Sequence, residues 1–256
     1  MRAIILAAGR GSRMGELTEE RPKCLTPFAG RTLLEWQLAA IRAADIHDIA
    51  VVRGYRAETI NPPGCIWFEN PHWANTNMVS TLACAGQWLK CDDCIVSYSD
   101  IVYHPSIVER LSMHPGDIVI SYDEEWLPLW NKRFENPLAD AETFRLNDNG
   151  RLHSIGARAY TLADIEGQYM GLLKISPAGW RSIESLLDSL PVEQRTRLDM
   201  TSLLQLLLEE GVEIGTVPTS GRWCEVDSET DLRMYEERLG HPDWTHDWRW
   251  ETAVTA

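Results

Sequence analysis

Within the first 27 residues an apolar run, Arg2 to Leu6, meets a small-residue turn, Ala7-Ala8-Gly9-Arg10-Gly11-Ser12-Arg13-Met14. Ten residues beyond Arg13 comes Pro22-Lys23. A strand ending in glycines lets backbone N–H groups approach a phosphate chain with no Cβ in the way. Arg10, Arg13, Arg21 and Lys23 place fixed positive charge around that turn. This layout suits a nucleoside triphosphate. Further on, the apolar run Cys94 to Tyr98 leads into Ser99-Asp100, and Trp223-Cys224-Glu225-Val226-Asp227 carries two more carboxylates. Glu225 and Asp227, two apart on a strand, project to one face. A hard cation bridging phosphate oxygens needs one or two such groups, so Asp100 and Asp227 are candidate Mg²⁺ ligands. Two plainer roles stay open. Asp100 could cap the turn after its strand, and Asp227 could cap a helix opened by the capping box Ser228-Glu229-Thr230-Asp231.

The turn departs from other phosphate-binding loops. A P-loop requires Lys-Ser/Thr after its last glycine, whereas Glu16 follows Gly15. A dinucleotide fingerprint places glycine third, where this chain has Met14. Glycines at a strand end can also serve conformation alone, so the turn is informative only together with Pro22-Lys23.

A formal charge of −14 argues against nucleic acid or an anionic membrane as partner. Residues 1 to 27 nevertheless carry five Arg or Lys against three Asp or Glu, as a focused small-anion site would. No segment reads as a signal peptide or a membrane span, which gives a cytoplasmic expectation. The six cysteines are scattered, and Cys91-Asp92-Asp93-Cys94 lacks the second pair that structural zinc needs. Reduced thiols are expected.

Behind these residues, strand-like and helix-like segments alternate, which predicts an α/β fold. Strands are expected at Arg2–Leu6, Ile49–Val52, Ile66–Phe68, Ile95–Tyr98 and Ile118–Ser121, with helices at Leu33–Ala44, Met78–Leu89 and Pro105–Leu111. Asn147-Asp148-Asn149-Gly150 predicts a hairpin between Thr143–Leu146 and Arg151–Ile155. Then come a buried strand, Tyr169–Ile175, helices Pro177–Leu187 and Asp199–Glu210 (stopped by Gly211), a strand Glu213–Val217 and a helix from Ser228 to about Leu239. Asp100, at a strand's carboxyl end, then shares the crevice with the Gly-rich turn.

Gly9-Arg10-Gly11-Ser12-Arg13, Pro22-Lys23, Asp100 and Glu225-Val226-Asp227 resemble, in that order, the motifs of the sugar-nucleotidyltransferase-like superfamily. Within it the chain is most similar to cytidylyltransferases acting on phosphocholine or on phosphonates such as 2-aminoethylphosphonate. A related branch takes phosphorylated glutamine. The resemblance implies a Rossmann-like, mostly parallel mixed sheet flanked by helices, with a small β-hairpin/helical insertion for the acceptor. It reaches to about residue 240, so residues 1–240 are expected to form one domain followed by a tail, 241–256.

The implied reaction is Mg²⁺-dependent transfer of CMP from CTP to a small phosphomonoester or phosphonate, releasing pyrophosphate. A sugar-1-phosphate nucleotidyltransferase and a catalytically silent nucleotide-binding subunit are the alternatives. Arg13 and Lys23 would be catalytic. Leu6, Ala7, Ala8, Gly9, Arg10, Gly11, Ser12, Gly54, Tyr55, Asn77, Ser80 and Thr81 would bind the nucleotide. Asn and Ser at the start of the Met78 helix could equally cap it. The sugar-activating branch carries a Glu-Lys-Pro element that this chain lacks, and where some relatives have two carboxylates this chain has Asp100 alone.

For the acceptor, Tyr122-Asp123-Glu124-Glu125-Trp126-Leu127-Pro128-Leu129-Trp130 mixes carboxylates with rings, as an ammonium site would. Arg133 nearby could grip a phosphorus oxyanion. Tyr122, Asp123, Trp126, Trp130 and Arg133, with Gln168 and Glu225, are the acceptor candidates; Lys174 and Asp199 are weaker. The same segment reads equally well as rings packed on a core with acids facing water. Trp244, Trp248 and Trp250 in the tail show no periodicity, and docking on the body, a homodimer contact or a disordered end remain open.

Overall fold

The computed structural model describes residues 1–250, the side chain of Glu16 apart, so the last six residues of the tail lie outside the described residues. Strands are β1 Arg2–Ala7, β2 Pro27–Phe28, β3 Arg31–Thr32, β4 Ile49–Arg53, β5 Ile66–Glu69, β6 Cys94–Tyr98 and β7 Ile101–Tyr103. There follow β8 Ile118–Asp123, β9 Glu142–Leu146, β10 Leu152–Arg158, β11 Gln168–Ile175, β12 Gly215–Thr219 and β13 Trp223–Glu225. Helices are α1 Leu33–Ala43, α2 Met78–Ala83, α3 Gly86–Leu89, α4 Pro105–Met113 and α5 Trp126–Arg133. Later come α6 Pro177–Ser189, α7 Val192–Arg197, α8 Met200–Glu209 and α9 Glu229–Arg238.

Seven strands form one sheet in the order β12-β8-β11-β6-β1-β4-β5. β11 runs antiparallel to β6 and β8, and the other pairings are parallel. Strands β1, β4, β6 and β8 read as continuous apolar runs because helices cover both faces. Edge strand β12 tolerates Pro218, whose missing N–H would break an interior ladder. The chain runs outward from β1 through β4 and β5, then returns to β6 on the other side of β1. Ligands bind at such a switch point, beyond the strands' carboxyl ends. Register pairs Leu6 with Tyr98 and Ala7 with Arg53, so β1, β4 and β6 end side by side there.

Helix ends follow their caps. Thr32 Oγ1 accepts from the Glu35 amide while Glu35 accepts from the Thr32 amide, closing a capping box on α1. Asp199 caps α8, and Gly211, at φ +80°, ends it. The helix expected over Met78–Leu89 is two, broken at Cys84–Ala85. Gly86, a poor helix former, packs there against the Trp180 indole. Helices α5 and α7 and strand β7 were not expected from the pattern. The predicted hairpin is present as β9–β10. All six cysteines are free. No described helix is long and apolar enough to cross a membrane.

The tail docks on the body as far as Trp250. Trp248 is fully buried, stacked on Phe28 at 4.4 Å and edge-on to Trp36. Trp244 packs against Tyr235 of α9.

Candidate active site

The turn after β1 keeps its shape through two close approaches that only glycine allows. Gly11 lies at φ +74°, and a Cβ there would fall 2.7 Å from Lys23 Cβ. A Cβ on Gly54 would come within 2.6 Å of the Ala8 carbonyl oxygen, which accepts the Tyr55 amide. Thr18 Oγ1 donates to the Gly11 carbonyl and holds the loop folded back.

A cleft of about 250 Å³ opens over this turn. Leu6, Ala8, Gly9, Gly11, Ser12, Arg13 and Lys23 line one side; Trp73, Thr76, Asn77, Met78 and Thr81 line the other, with Ser99 and Asp100 between. Ala7, Arg10, Gly54, Tyr55 and Ser80 do not line it. Tyr55 instead donates its hydroxyl to the Glu19 carbonyl, and the Arg10 guanidinium lies over its ring. Asn77 is engaged at both ends: Oδ1 caps Met78, and Nδ2 donates to the Arg197 carbonyl. Trp73, Thr76, Met78 and Ser99 line it without being singled out as candidates: Thr76 and Met78 flank Asn77, Ser99 precedes Asp100 just after β6, and residues of these types give no signal of their own.

Charge concentrates where the turn meets the ends of β6 and β13. Lys23, almost fully buried, donates to Asp227 Oδ1 at 2.6 Å and to Asp100 Oδ2 at 3.0 Å. Arg13 reaches the same Asp227 oxygen at 2.9 Å from an exposed position. The Val226 amide donates to the Asp100 carbonyl, which fixes the two carboxylate segments side by side. Burial alone would lower the Lys23 pKa; the carboxylates of Asp100 and Asp227 outweigh it and hold the ammonium above its ordinary value. Burial likewise works against ionised Asp227, but Lys23, Arg13 and Arg133 keep its carboxyl below the usual range. Glu225 goes the other way, pushed up to about 7 by burial, with Asp227 and Asp100 adding to the rise against Arg133.

Asp227 is not a helix cap. Ser228 caps α9, accepting the Asp231 amide, while Asp231 Oδ2 takes the amides of Asp227 and Ser228. Asp100 Oδ1 is buried and has no hydrogen-bond partner among the described residues, so an oxygen is left to coordinate. No cluster of three or more His, Cys, Asp or Glu among the described residues is arranged to hold a metal. A cation site at this place would draw on Asp100 and Asp227.

The acceptor expectations need correction. Asp123 is fully buried, and its oxygens take Trp223 Nε1, His246 Nε2 and the amides of Gly221 and Glu125. Trp126 and Trp130 are core residues, edge-to-face with each other, and Tyr122 stacks on Phe144. No ring there offers a free face to an ammonium. Arg133, with no exposed side-chain surface, is clamped by Glu225 at 2.7 Å, Asp231 at 3.1 Å and Asp227 at 3.2 Å. It holds the carboxylates in place rather than gripping a ligand. Lys174 is buried at the opposite end of the sheet, paired with Ile95 and Val119. Gln168 and Glu225 stay partly exposed, and neither lines the cleft. Gly171 bulges at φ +74°, and the Tyr98 ring occupies the room a side chain would need.

Comparisons with known proteins match most of the chain. The sequence profile described as the MobA-like NTP transferase domain matches residues 3–162. CTP:phosphoglutamine cytidylyltransferase of Campylobacter jejuni is 36% identical over 254 residues, covering 93% of this chain and 100% of that protein. CMP-5'-(3-aminopropyl)phosphonate synthase of Streptomyces rubellomurinus is 30% identical over 50% of this chain and 22% of its own. The structure of the inositol-1-phosphate CTP transferase from T. maritima superposes with a TM-score of 0.73 at 19% identity, covering 93% of this chain and 96% of that one. Matched by the profile over more than half its length and by a relative along that relative's whole length, the chain belongs to the MobA-like NTP transferase domains and is a nucleotidyltransferase.

Proposed function

We infer that the chain transfers CMP from CTP to a phosphate or phosphonate oxygen of a small acceptor, with Mg²⁺ and release of pyrophosphate. Phosphorylated glutamine leads the acceptor list, since the full-length relative is a phosphoglutamine enzyme; an aminoalkylphosphonate follows from the second relative. The observation that carries the reading is the buried Lys23 ammonium between Asp100 and Asp227, at the wall of a glycine-turned cleft.

The acceptor oxygen is already anionic, so it attacks the α-phosphorus without a general base, and the cleft lining includes no histidine. The new P–O bond forms as the bond to the bridging oxygen breaks, and pyrophosphate departs with the electron pair. Positioning and charge stabilisation supply most of the acceleration in such transfers. The glycine turn and Arg13 hold the β- and γ-phosphates. Lys23 neutralises charge on the α-phosphate and the departing pyrophosphate. Asp100 and Asp227 would hold Mg²⁺, which when bound neutralises phosphate oxygens that would otherwise face carboxylates. Arg133 and Asp231 keep Asp227 in place.

Pyrophosphate release tests the reading directly, with CTP and Mg²⁺ against phosphorylated glutamine, 2-aminoethylphosphonate, phosphocholine and glucose-1-phosphate. Release with one of the first three is expected. Release with the sugar phosphate alone, or with UTP in preference to CTP, would overturn it.

A further inference from the structure

Among its described residues the C-terminal tail contributes nothing to the cleft lining, yet it touches both chain segments whose side chains meet there. On one side it runs against β13 and the loop before it. The Arg222 amide donates to the Thr245 carbonyl, and the Cys224 thiol to the His246 carbonyl. The approach is so close that a Cβ on Gly221, at φ +69°, would fall 2.5 Å from the Thr245 oxygen. His246, 1% exposed, contacts Asp123 Oδ2 at 2.8 Å. A carboxylate oxygen only accepts, so Nε2 carries the proton and the Thr245 hydroxyl serves Nδ1. The same Asp123 oxygen takes Trp223 Nε1 at 2.9 Å. On the other side, Trp248 stacks on Phe28, the strand residue just beyond the Lys23 turn.

We propose that residues 245–248 form a strap that sets the position of Asp227 relative to Lys23, and that His246 is its positioning residue. The proposal rests on the nucleotide-transfer reading above. β13 is only three residues long, so the position of Asp227 depends on contacts from outside its ladder with β7: Arg133 on the Asp227 carboxylate, Asp231 on the Asp227 amide, and the Val226 amide on the Asp100 carbonyl. The strap adds a further constraint through the buried Asp123 carboxylate at the end of β8, which takes both His246 Nε2 and Trp223 Nε1. It holds β13 and the loop before it through Arg222, Trp223 and Cys224 and ties them to the segment that bears Lys23.

The test compares full-length His246→Leu, His246→Gln and the control Leu207→Ala, a core truncation in α8 away from the cleft. Hydrogen exchange over residues 221–227 is read beside steady-state kinetics. His246→Leu is expected to speed exchange in that segment and lower kcat about tenfold with the KM for CTP unchanged. The glutamine amide restores a donor to Asp123, so His246→Gln is expected to recover most of both. Leu207→Ala should lower the melting temperature without selectively loosening 221–227 or changing kcat. Unchanged exchange at 221–227 in His246→Leu overturns the strap. So does an equal loss of kcat in Leu207→Ala and His246→Leu at matched melting temperature. A wild-type chain silent with CTP would overturn the nucleotide-transfer reading, while the exchange experiment still judges the strap.

Discussion

The Lys23 ammonium and Asp227 Oδ1 lie 2.6 Å apart although 204 residues separate them in the chain. With Asp100 on its other side, Lys23 occupies the space between two carboxylates that a divalent cation would share. On the proposed reading, bound phosphates and Mg²⁺ would compete with Lys23 for the two aspartates. Lys23→Met is expected to cut kcat/KM by about 10²–10³-fold, the scale of losing one preorganised charge at a reacting phosphate. It also leaves Asp100 and Asp227 facing each other with less neutralisation. Mg²⁺ then stabilises the variant by binding its folded state, and its melting temperature should rise more with MgCl₂ than the wild type's. Retained turnover, or equal Mg²⁺ responses in the two proteins, would sink this assignment.

Asp100→Asn and Asp227→Asn separate a metal role from a capping role. Ser228, not Asp227, caps α9, so Asp227→Asn should leave helix content unchanged by circular dichroism. Each substitution should lower turnover at fixed Mg²⁺ by at least about a hundredfold. The Mg²⁺ concentration for half-maximal rate should rise with it. A wild-type metal response in either variant contradicts the proposed ligand set.

Gly11→Ala is a sharper probe of the turn than any charge change. The left-handed backbone costs alanine about 1 kcal/mol, and its methyl would meet Lys23 Cβ at 2.7 Å. Either the turn opens or Lys23 is pushed off the aspartates. The KM for CTP is expected to rise at least about tenfold and kcat to fall with it. Isothermal titration with CTP and Mg²⁺ checks the binding half of that expectation; undiminished affinity would mean the turn does not cradle the nucleotide.

Much of this site was legible because its determinants are local. The β1 turn announces itself through Gly9 and Gly11, and strands such as Ile95–Tyr98 through uninterrupted apolar runs. Ser228-to-Asp231 reads as a cap from four residues. What stayed hidden depends on distant partners. Arg133 reads like a phosphate clamp until Glu225 and Asp231, 92 and 98 residues further on, are seen to neutralise it. Trp126 and Trp130 have the composition of a cation cage and of a core helix alike, and only burial tells the two apart. Strand β7 is three residues long and exists because β13 pairs with it. His246 sits in a tail without periodicity, where each aromatic fills its own niche against Phe28, Trp36 or Tyr235.

The buried aromatic helix yields a prediction about selectivity. Trp126 is 4% exposed and packs edge-to-face on Trp130, whose Nε1 donates to Asp140. Truncating a core tryptophan typically costs about 3–5 kcal/mol through lost contacts and a cavity. Trp126→Ala should therefore lower the melting temperature by many degrees. Were Trp126 instead a cation–π partner of the acceptor, its loss would penalise ammonium-bearing acceptors selectively. The measurement is kcat/KM for 2-aminoethylphosphonate and for ethylphosphonate, well below the variant's melting temperature. Their ratio should match the wild type's within about twofold, since a cation–π contact would be worth about 0.5–2 kcal/mol and would shift it by more. A selective collapse toward the amine-free acceptor would return this segment to the acceptor site and require that α5 move when the acceptor binds.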